Sequence, residues 1–122
     1  LMEKNMASRG IRNVKSVLGD IQDAKLPANS IDLAVMVDVY HEFEFPYEMM
    51  ESMVRALKPG GRIAFVEFKA GDRSVPIRPL HTMSEIQIRK EAGAFALQWV
   101  KTVSTLPWQH VVIFSKSASA QR

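Results

Sequence analysis

Two short, nearly uninterrupted apolar runs with a helix-like segment between them constrain the fold most. They are Ile31–Val37 (IDLAVMV) and Ile63–Phe68 (IAFVEF), and each has the pattern of a parallel strand that is covered on both faces. Between them, apolar residues recur every three or four positions over Tyr47–Leu57, which predicts an amphipathic helix. Pro46 suits the first turn of that helix, and the Lys58–Gly61 segment (KPGG) ends it. A strand, a helix and a second strand in this order predict an α/β fold.

The rest of the chain adds elements around this unit. Ser84 is a good N-cap and Gly93 a stop signal, so we predict a helix over Ser84–Ala92. The last two strands have no helix between them and should pair antiparallel, as a hairpin. The remaining predicted segments are Met2–Ser8 (helix), Val14–Leu18 (strand), Lys69–Met83 (irregular), Phe95–Val103 and His110–Ser115 (the hairpin) and Ser115–Arg122 (a frayed tail). Trp99 and Trp108 fall in the hairpin region and are interpreted as packing residues.

The composition is that of one globular domain. The chain has 122 residues, of which 47% are hydrophobic and 24% charged, and it has no cysteine. Disulfides, zinc–thiolate sites, iron–sulfur clusters and a cysteine nucleophile are therefore excluded. No apolar run approaches the ~18 residues of a membrane-spanning helix. We accordingly expect no membrane association and a cytoplasmic location.

Charge is distributed unevenly along the chain. Residues 1–68 hold 8 Lys or Arg against 10 Asp or Glu, whereas residues 69–122 hold 8 against 3. A solvated basic surface is the simpler interpretation of the second half, since no aromatic side chains are interleaved with the basic ones to stack bases. Nucleic-acid binding is therefore not favoured.

Three motifs follow one another in the first half of the chain: Gly19-Asp20, Ile31–Asp38 (IDLAVMVD) and Leu57–Ile63 (LKPGGRI). With this set the sequence resembles class I S-adenosylmethionine-dependent methyltransferases, and among them the small-molecule branch that includes the ubiquinone and menaquinone biosynthesis enzymes. The resemblance is strong over Asn13–Phe68 and looser over Lys69–Ile113. It implies S-adenosylmethionine as the cofactor and a small molecule as the methyl acceptor.

The resemblance also implies the strand order of the sheet. The family's strand order is 3-2-1-4-5-7-6, and this chain would supply strands 3, 4, 5, 7 and 6 of a Rossmann-like sheet, with Val14–Leu18 as strand 3. The family's glycine-rich donor loop has no counterpart, because Gly10 and Gly19 are the only glycines before residue 60. We therefore expect residues 1–122 to form a single, incomplete methyltransferase domain that is inactive alone. Strand 4 would then have a bare edge, which predicts a homodimer through exposed strand edges.

The resemblance places donor contacts at two points. Asp20 would accept a hydrogen bond from the adenine amine, with the Ile21 amide at the edge of the ring. Asp38, Val39 and Tyr40 directly follow the first apolar run and would line the cofactor. Asp20 has a competing interpretation, as a turn aspartate that caps the next segment, and the residues alone do not decide between the two.

His41 and Glu42 end the same segment and are candidate catalytic bases. Methyl transfer needs a positioned nucleophile, and a base can help by removing its proton. Imidazole titrates near neutrality, which makes His41 the first candidate and Glu42 the second. The alternative, that His41 orients or caps the following helix, stays open. No metal site is expected, because a zinc-protease motif would need a second histidine where Phe45 stands.

Arg78, His81 and Met83 fall where the resembled enzymes place an insertion that covers the substrate. The alternative to an enzyme is a degenerate, non-catalytic methyltransferase-like module that serves as an interaction surface.

Overall fold

The computed structural model describes residues 2–71 and 82–118. Arg78, His81 and the last residues of the predicted tail lie outside the described residues. The elements are α1 (Met2–Ser8), β1 (Ile31–Val37), a 3-10 turn (Tyr40–Glu42), α2 (Pro46–Ala56), β2 (Leu57–Phe68), α3 (Glu85–Ala92), β3 (Leu97–Val103) and β4 (Gln109–Lys116). The alternation of strands and helices confirms the predicted α/β fold.

One four-stranded sheet organises the chain, in the order β1-β2-β4-β3. β1 and β2 are parallel and are connected through α2, whereas β4 is antiparallel to both of its neighbours. This order is that of strands 4, 5, 7 and 6 of the family's sheet, and the final hairpin is present as predicted. Since β1 and β2 are parallel, their carboxyl ends meet at the same edge of the sheet.

The predicted strand over Val14–Leu18 is wrong. Residues 11–20 are exposed and form no regular structure. Strand 3 of the family's sheet pairs with strand 2, but in the described sheet β1 pairs with β2 alone and no strand is present for Val14–Leu18 to join. A single short strand gains too little to form without a hydrogen-bonded partner.

The core lies on the face of the sheet that α2 and α3 cover. Side chains alternate along a strand, so Ile63, Phe65 and Glu67 of β2 point to this face and are fully buried. Met50 of α2 and Ile88 of α3 pack against them, both with no exposed surface. The opposite face stays open at β1. Its exposed side chains are Leu33 (57%), Val35 (54%) and Val37 (53%).

The KPGG segment is the bulged start of β2, since the strand begins at Leu57 rather than at Ile63 as predicted. The register between β1 and β2 shifts within this segment. Gly60 has φ +78°, a conformation that favours glycine. A Cβ on Gly61 would approach the Ile31 carbonyl oxygen to 3.0 Å. Both glycines therefore serve the backbone, in line with the structural role predicted for them.

The predicted fraying of Ser115–Arg122 is wrong for its first residues. β4 continues to Lys116, whose side chain is buried and donates from Nζ to the Leu57 carbonyl at 2.8 Å. This hydrogen bond and the pairing with β3 hold the end of the strand in place.

The two tryptophans are not packing residues of the core, contrary to the expectation. Trp99 is 44% exposed and Trp108 46%. The guanidinium of Arg89 lies over the Trp99 ring, 4.2 Å from its centroid, as in a cation–π contact. Both rings lie at the periphery because β3 is an edge strand and Trp108 belongs to the loop before β4.

Candidate functional site

The carboxyl end of β1 turns sharply at Asp38. This residue has φ +56°, and its amide donates to the Val66 carbonyl of β2 at 2.8 Å. Its carboxylate accepts from Gln109 Nε2, with distances of 3.0 and 2.9 Å to its two oxygens. Asp38 therefore ties the end of β1 to the start of β4, and it directs the chain into the turn that follows.

That turn brings His41 against a buried carboxylate of β2. Nδ1 of His41 lies 2.6 Å from Oε1 of Glu67. The exposed fractions of the two side chains are 8% and 0%. Glu42 points outward with 58% of its side chain exposed, and its Oε1 lies 3.8 Å from Nε2 of the same imidazole. The two candidate bases are thus adjacent but differ in environment, since the His41 side chain is buried and that of Glu42 is exposed.

Sequence reasoning did not single out Glu67. It is the one charged residue in the apolar run IAFVEF, at a position where the strand alternation calls for a core side chain. A charged residue at a position where the pattern calls for an apolar one is the sequence signal that could have identified Glu67. Burial raises the pKa of the Glu67 carboxyl above its ordinary value, while the hydrogen bond with His41 acts in the opposite direction.

Tyr40 connects the same turn to α3. Its hydroxyl donates to Glu91 Oε1 at 2.7 Å, and the side-chain amide of Gln87 donates to the other oxygen of this carboxylate. The Tyr40 ring is buried and meets Phe65 edge-on, with the centroids 5.1 Å apart. Burial and the bond to Glu91 both raise the pKa of the Tyr40 phenol. Tyr40 is therefore a fixed, uncharged wall of the site.

A cavity of about 320 Å3 opens between this turn and α3. Its wall combines aromatic and apolar surface with a few polar groups. The residues that line it include Tyr40, His41, Phe43, Thr82, Gln87 and Glu91. Cavities that bind small molecules have volumes of roughly 300–1,000 Å3 and such a mixture of surfaces. The cavity can therefore hold a small ligand in contact with the His41 ring.

Asp20 and Ile21 lie on a separate loop. Oδ1 of Asp20 accepts from the Gln22 amide at 2.9 Å, and Oδ2 lies 3.7 Å from Nζ of Lys25. The bond from Gln22 lowers the pKa of Asp20 below its ordinary value. The turn interpretation of Asp20 is thus realised geometrically, with Oδ2 at the surface. The loop is attached to α2, where Ser52 Oγ accepts from the amide of Ala24 at 3.1 Å.

Residues 2–71 and 82–118 contain no group of three or more His, Asp or Glu side chains that could hold a metal ion. No helix within these ranges is long and apolar enough to cross a membrane.

A family comparison decides what kind of domain this is. The sequence profile described as "Methyltransferase domain" matches residues 2–65, a little more than half of the chain. The chain belongs to the methyltransferase domain family. The matched range includes β1, the 3-10 turn with His41, and α2, so the turn that contributes to the cavity lies within the family's own region.

Solved structures agree with this assignment at the level of the fold. A SAM-dependent methyltransferase from Aquifex aeolicus is similar with a TM-score of 0.83 and 20% identity, over 92% of this chain and 60% of that one. The 4+2 cyclase SpnF is similar with a TM-score of 0.77 and 13% identity, over 93% of this chain and 61% of that one. This methyltransferase domain therefore spans about three fifths of the length of these two proteins. The fold is that of class I methyltransferases, but a cyclase shares it, so the fold does not determine the reaction.

A curated relative is similar over a short stretch. Ribosomal RNA small subunit methyltransferase H 1 from Agathobacter rectalis is 54% identical to this methyltransferase domain over 39 residues, which are 32% of this chain and 11% of that protein. The match spans about a tenth of the relative's length, and it adds a methyltransferase to the comparison without defining the acceptor.

Proposed function

We propose that this domain forms the acceptor side and the adenine contacts of an S-adenosylmethionine-dependent enzyme that methylates a small molecule in the cytoplasm. One observation carries the proposal: His41 lines a cavity of about 320 Å3 while its Nδ1 lies 2.6 Å from the buried carboxylate of Glu67. A base that faces a ligand-sized cavity in a methyltransferase domain is suited to remove a proton from the acceptor.

The residues fit one end of the cofactor. Asp20 has a surface oxygen, Oδ2, that can accept a hydrogen bond from the adenine amine, and Ile21 beside it is 56% exposed and can cover the ring edge. The carboxylate of Asp38 is bound by Gln109, so its segment would line the donor through backbone and through Val39 and Tyr40. Contacts to the ribose and methionyl groups are not assigned to this chain, because no glycine-rich loop precedes β1 in the sequence.

His41 and Glu42 would handle the proton. When bound, S-adenosylmethionine supplies an electrophilic methyl group on a sulfonium sulfur. His41 would take the proton that the acceptor releases as it is methylated. Glu42 Oε1, 3.8 Å from His41 Nε2, then stabilises the imidazolium that forms.

Binding of S-adenosylhomocysteine to the chain tests the adenine site. We expect affinity weaker than micromolar by titration calorimetry, since only one end of the cofactor is held. In amide NMR spectra, the Ile21 signal should shift at millimolar ligand, and Asp20→Asn should abolish the shift while it preserves the turn. Asp32→Asn, an equivalent change at an exposed position of β1, should leave the shift intact. An unmoved Ile21 signal contradicts the assignment.

Methyl transfer tests the acceptor class. The longest natural polypeptide that contains this chain would be incubated with methyl-labelled S-adenosylmethionine and a fractionated cell extract. Label in the low-mass fraction, lost in His41→Asn and kept in the surface variant Glu51→Gln, supports the proposal. If neither the low-mass fraction nor the RNA fraction carries label, the result supports the non-catalytic module instead.

RNA is a second candidate acceptor, and a specific observation favours it. The curated relative described above is named for ribosomal RNA, and residues 69–122 carry 8 Lys or Arg against 3 Asp or Glu. Label in the RNA fraction, with binding that weakens steeply as salt rises, would replace the small-molecule proposal.

We also propose that the chain binds a second copy of itself. β1 is an edge strand of the described sheet, so one side of its backbone has no neighbouring strand there. Its side chains Leu33, Val35 and Val37 are also exposed, and together these features favour association with another strand. Light scattering should give a dimer at tens of micromolar. Val35→Lys should shift it to monomer, and Ile86→Lys, on the exposed side of α3, should not. A monomer for the unmodified chain refutes this proposal.

A further inference from the structure

We propose that Glu67 is the positioning residue of this site, since it holds His41 Nδ1 as a hydrogen-bond donor and leaves Nε2 as the basic nitrogen of the neutral ring. The inference rests on the proposed function, in which His41 takes the acceptor's proton. Glu67 is fully buried and is not among the described residues that line the cavity. It would act through His41 alone, by the same logic as a carboxylate that fixes the tautomer of a catalytic histidine.

The geometry requires a proton between the two residues. A distance of 2.6 Å between Nδ1 and Oε1 is that of a strong, charge-assisted hydrogen bond. When the Glu67 carboxylate is ionised it can only accept, so Nδ1 is then the protonated nitrogen. A neutral imidazole carries one proton, which leaves the lone pair on Nε2. The ring that lines the cavity is therefore presented in the form that can act as a base.

Packing alone gives no reason for a carboxylate at this position. Glu67 has no exposed surface, and it occupies the core-facing row of β2 after Ile63 and Phe65. Its second oxygen, Oε2, has no hydrogen-bond partner in the described part of the chain. A buried charge with one unsatisfied oxygen costs stability that an apolar side chain would not. The side-chain contact with His41, beside a backbone hydrogen bond from Tyr40, is what the structure gains in exchange.

His110 provides an internal contrast in the same protein. It lies opposite Glu67 in the β2–β4 register, is buried, and its Nε2 lies 2.7 Å from the Met83 carbonyl oxygen. A carbonyl only accepts, so Nε2 of His110 must carry the proton. The structure thus predicts opposite tautomers for the two imidazoles: Nδ1–H for His41 and Nε2–H for His110.

Nitrogen-15 NMR of the chain, without any cofactor, measures both tautomers directly. The His41 and His110 signals would be assigned with single-histidine substitutions, and the spectra recorded at a pH where both rings are neutral. We expect the Nδ1–H pattern for His41 and the Nε2–H pattern for His110. An Nε2–H pattern for His41 in the unmodified chain overturns the proposal, and this outcome needs no variant to fold.

Glu67→Gln then tests the positioning role. The variant should shift the His41 pattern away from pure Nδ1–H and leave that of His110 unchanged, while Glu51→Gln on the exposed side of α2 changes neither. In the methyl-transfer assay, Glu67→Gln should lower kcat by about tenfold or more with little change in the KM for the donor. An unchanged kcat together with an altered tautomer overturns the role. Failure of methyl transfer in the unmodified protein refutes the proposed function, but it leaves the tautomer result standing as a separate outcome.

Discussion

Tyr40→Phe should destabilise the protein through the loss of one hydrogen bond. The Tyr40 hydroxyl is 2.7 Å from Glu91 Oε1, and the ring is 4% exposed. A hydrogen bond to a charged group contributes about 1.5–3 kcal/mol to stability. Glu91 is half-buried and keeps its bond from Gln87, so water can replace part of the lost interaction. We therefore expect the lower part of this range, about 1.5–2 kcal/mol.

Urea unfolding monitored by circular dichroism measures this change. With a slope of about 1–3 kcal/mol/M, a loss of this size lowers the midpoint by roughly 0.5–2 M. The ring contacts with Phe43 and Phe65 are edge contacts of carbon atoms and persist in the variant. The matched control is Tyr47→Phe, which removes the same hydroxyl from a ring that is 56% exposed. It should change stability by less than about 0.5 kcal/mol.

Equal effects of Tyr40→Phe and Tyr47→Phe would refute the reasoning, because the hydroxyl contact between the turn and α3 would then contribute nothing. A double-mutant cycle with Glu91→Ala separates this contact from the surroundings. If the bond is the cause, the two changes should be non-additive by about 1 kcal/mol or more. Additive changes would assign the loss to some other effect of the substitution.

Three further predictions concern stability. Ser84→Ala should cost about 1 kcal/mol in urea unfolding, since it removes the side-chain cap of α3, and Ser84→Asp should restore most of it. Gly61→Ala should cost about 1–3 kcal/mol, because the added carbon would lie 2.8 Å from the Lys58 carbonyl oxygen and 3.0 Å from that of Ile31. In the folded state the pKa of the Glu67 carboxyl is raised above its ordinary value of 4.5, so the folded state binds the carboxyl proton more tightly than the unfolded state does. The free energy of unfolding should therefore fall as pH rises from about 4.5 through the raised pKa, and Glu67→Gln should remove that fall. A pH dependence that Glu67→Gln leaves unchanged would contradict the last of these.

The parts of the fold that depend on local pattern could be predicted from the sequence. The apolar run Ile31–Val37, the periodicity of α2 and the cap at Ser84 each have a short-range physical cause, and each element formed close to its expected bounds. Val14–Leu18 has comparable strand propensity but did not form a strand, because a strand depends on a neighbour that local pattern does not reveal. The interpretation of Trp99 as a packing residue was wrong for a related reason, since only the strand order shows that β3 is an edge strand.

The side-chain contacts of the candidate site residues could not be predicted from the sequence. The resemblance to the family selected Asp38–Glu42, and the topology is consistent with that choice, because ligands of open α/β sheets bind at the edge where this segment lies. The partner of His41 is 26 positions away on β2, and the partner of Tyr40 is 51 positions away on α3. Such pairings are set by the register of the sheet and by where α3 docks, and neither can be deduced from one sequence.

These contacts imply that the turn after β1 is held independently of the loop that contains Asp20 and Ile21. Three side-chain contacts fix the turn after β1, each to a different element: Asp38 with Gln109, His41 with Glu67, and Tyr40 with Glu91. The loop that contains Asp20 and Ile21 is attached elsewhere, to α2 through Ser52. Asp20→Asn should therefore leave the His41 tautomer unchanged, and Glu67→Gln should leave the Ile21 shift with S-adenosylhomocysteine unchanged. If Asp20→Asn altered the His41 tautomer, or Glu67→Gln altered the Ile21 shift, the turn and the loop would be coupled. The turn could then not be treated as preorganised by its own three contacts.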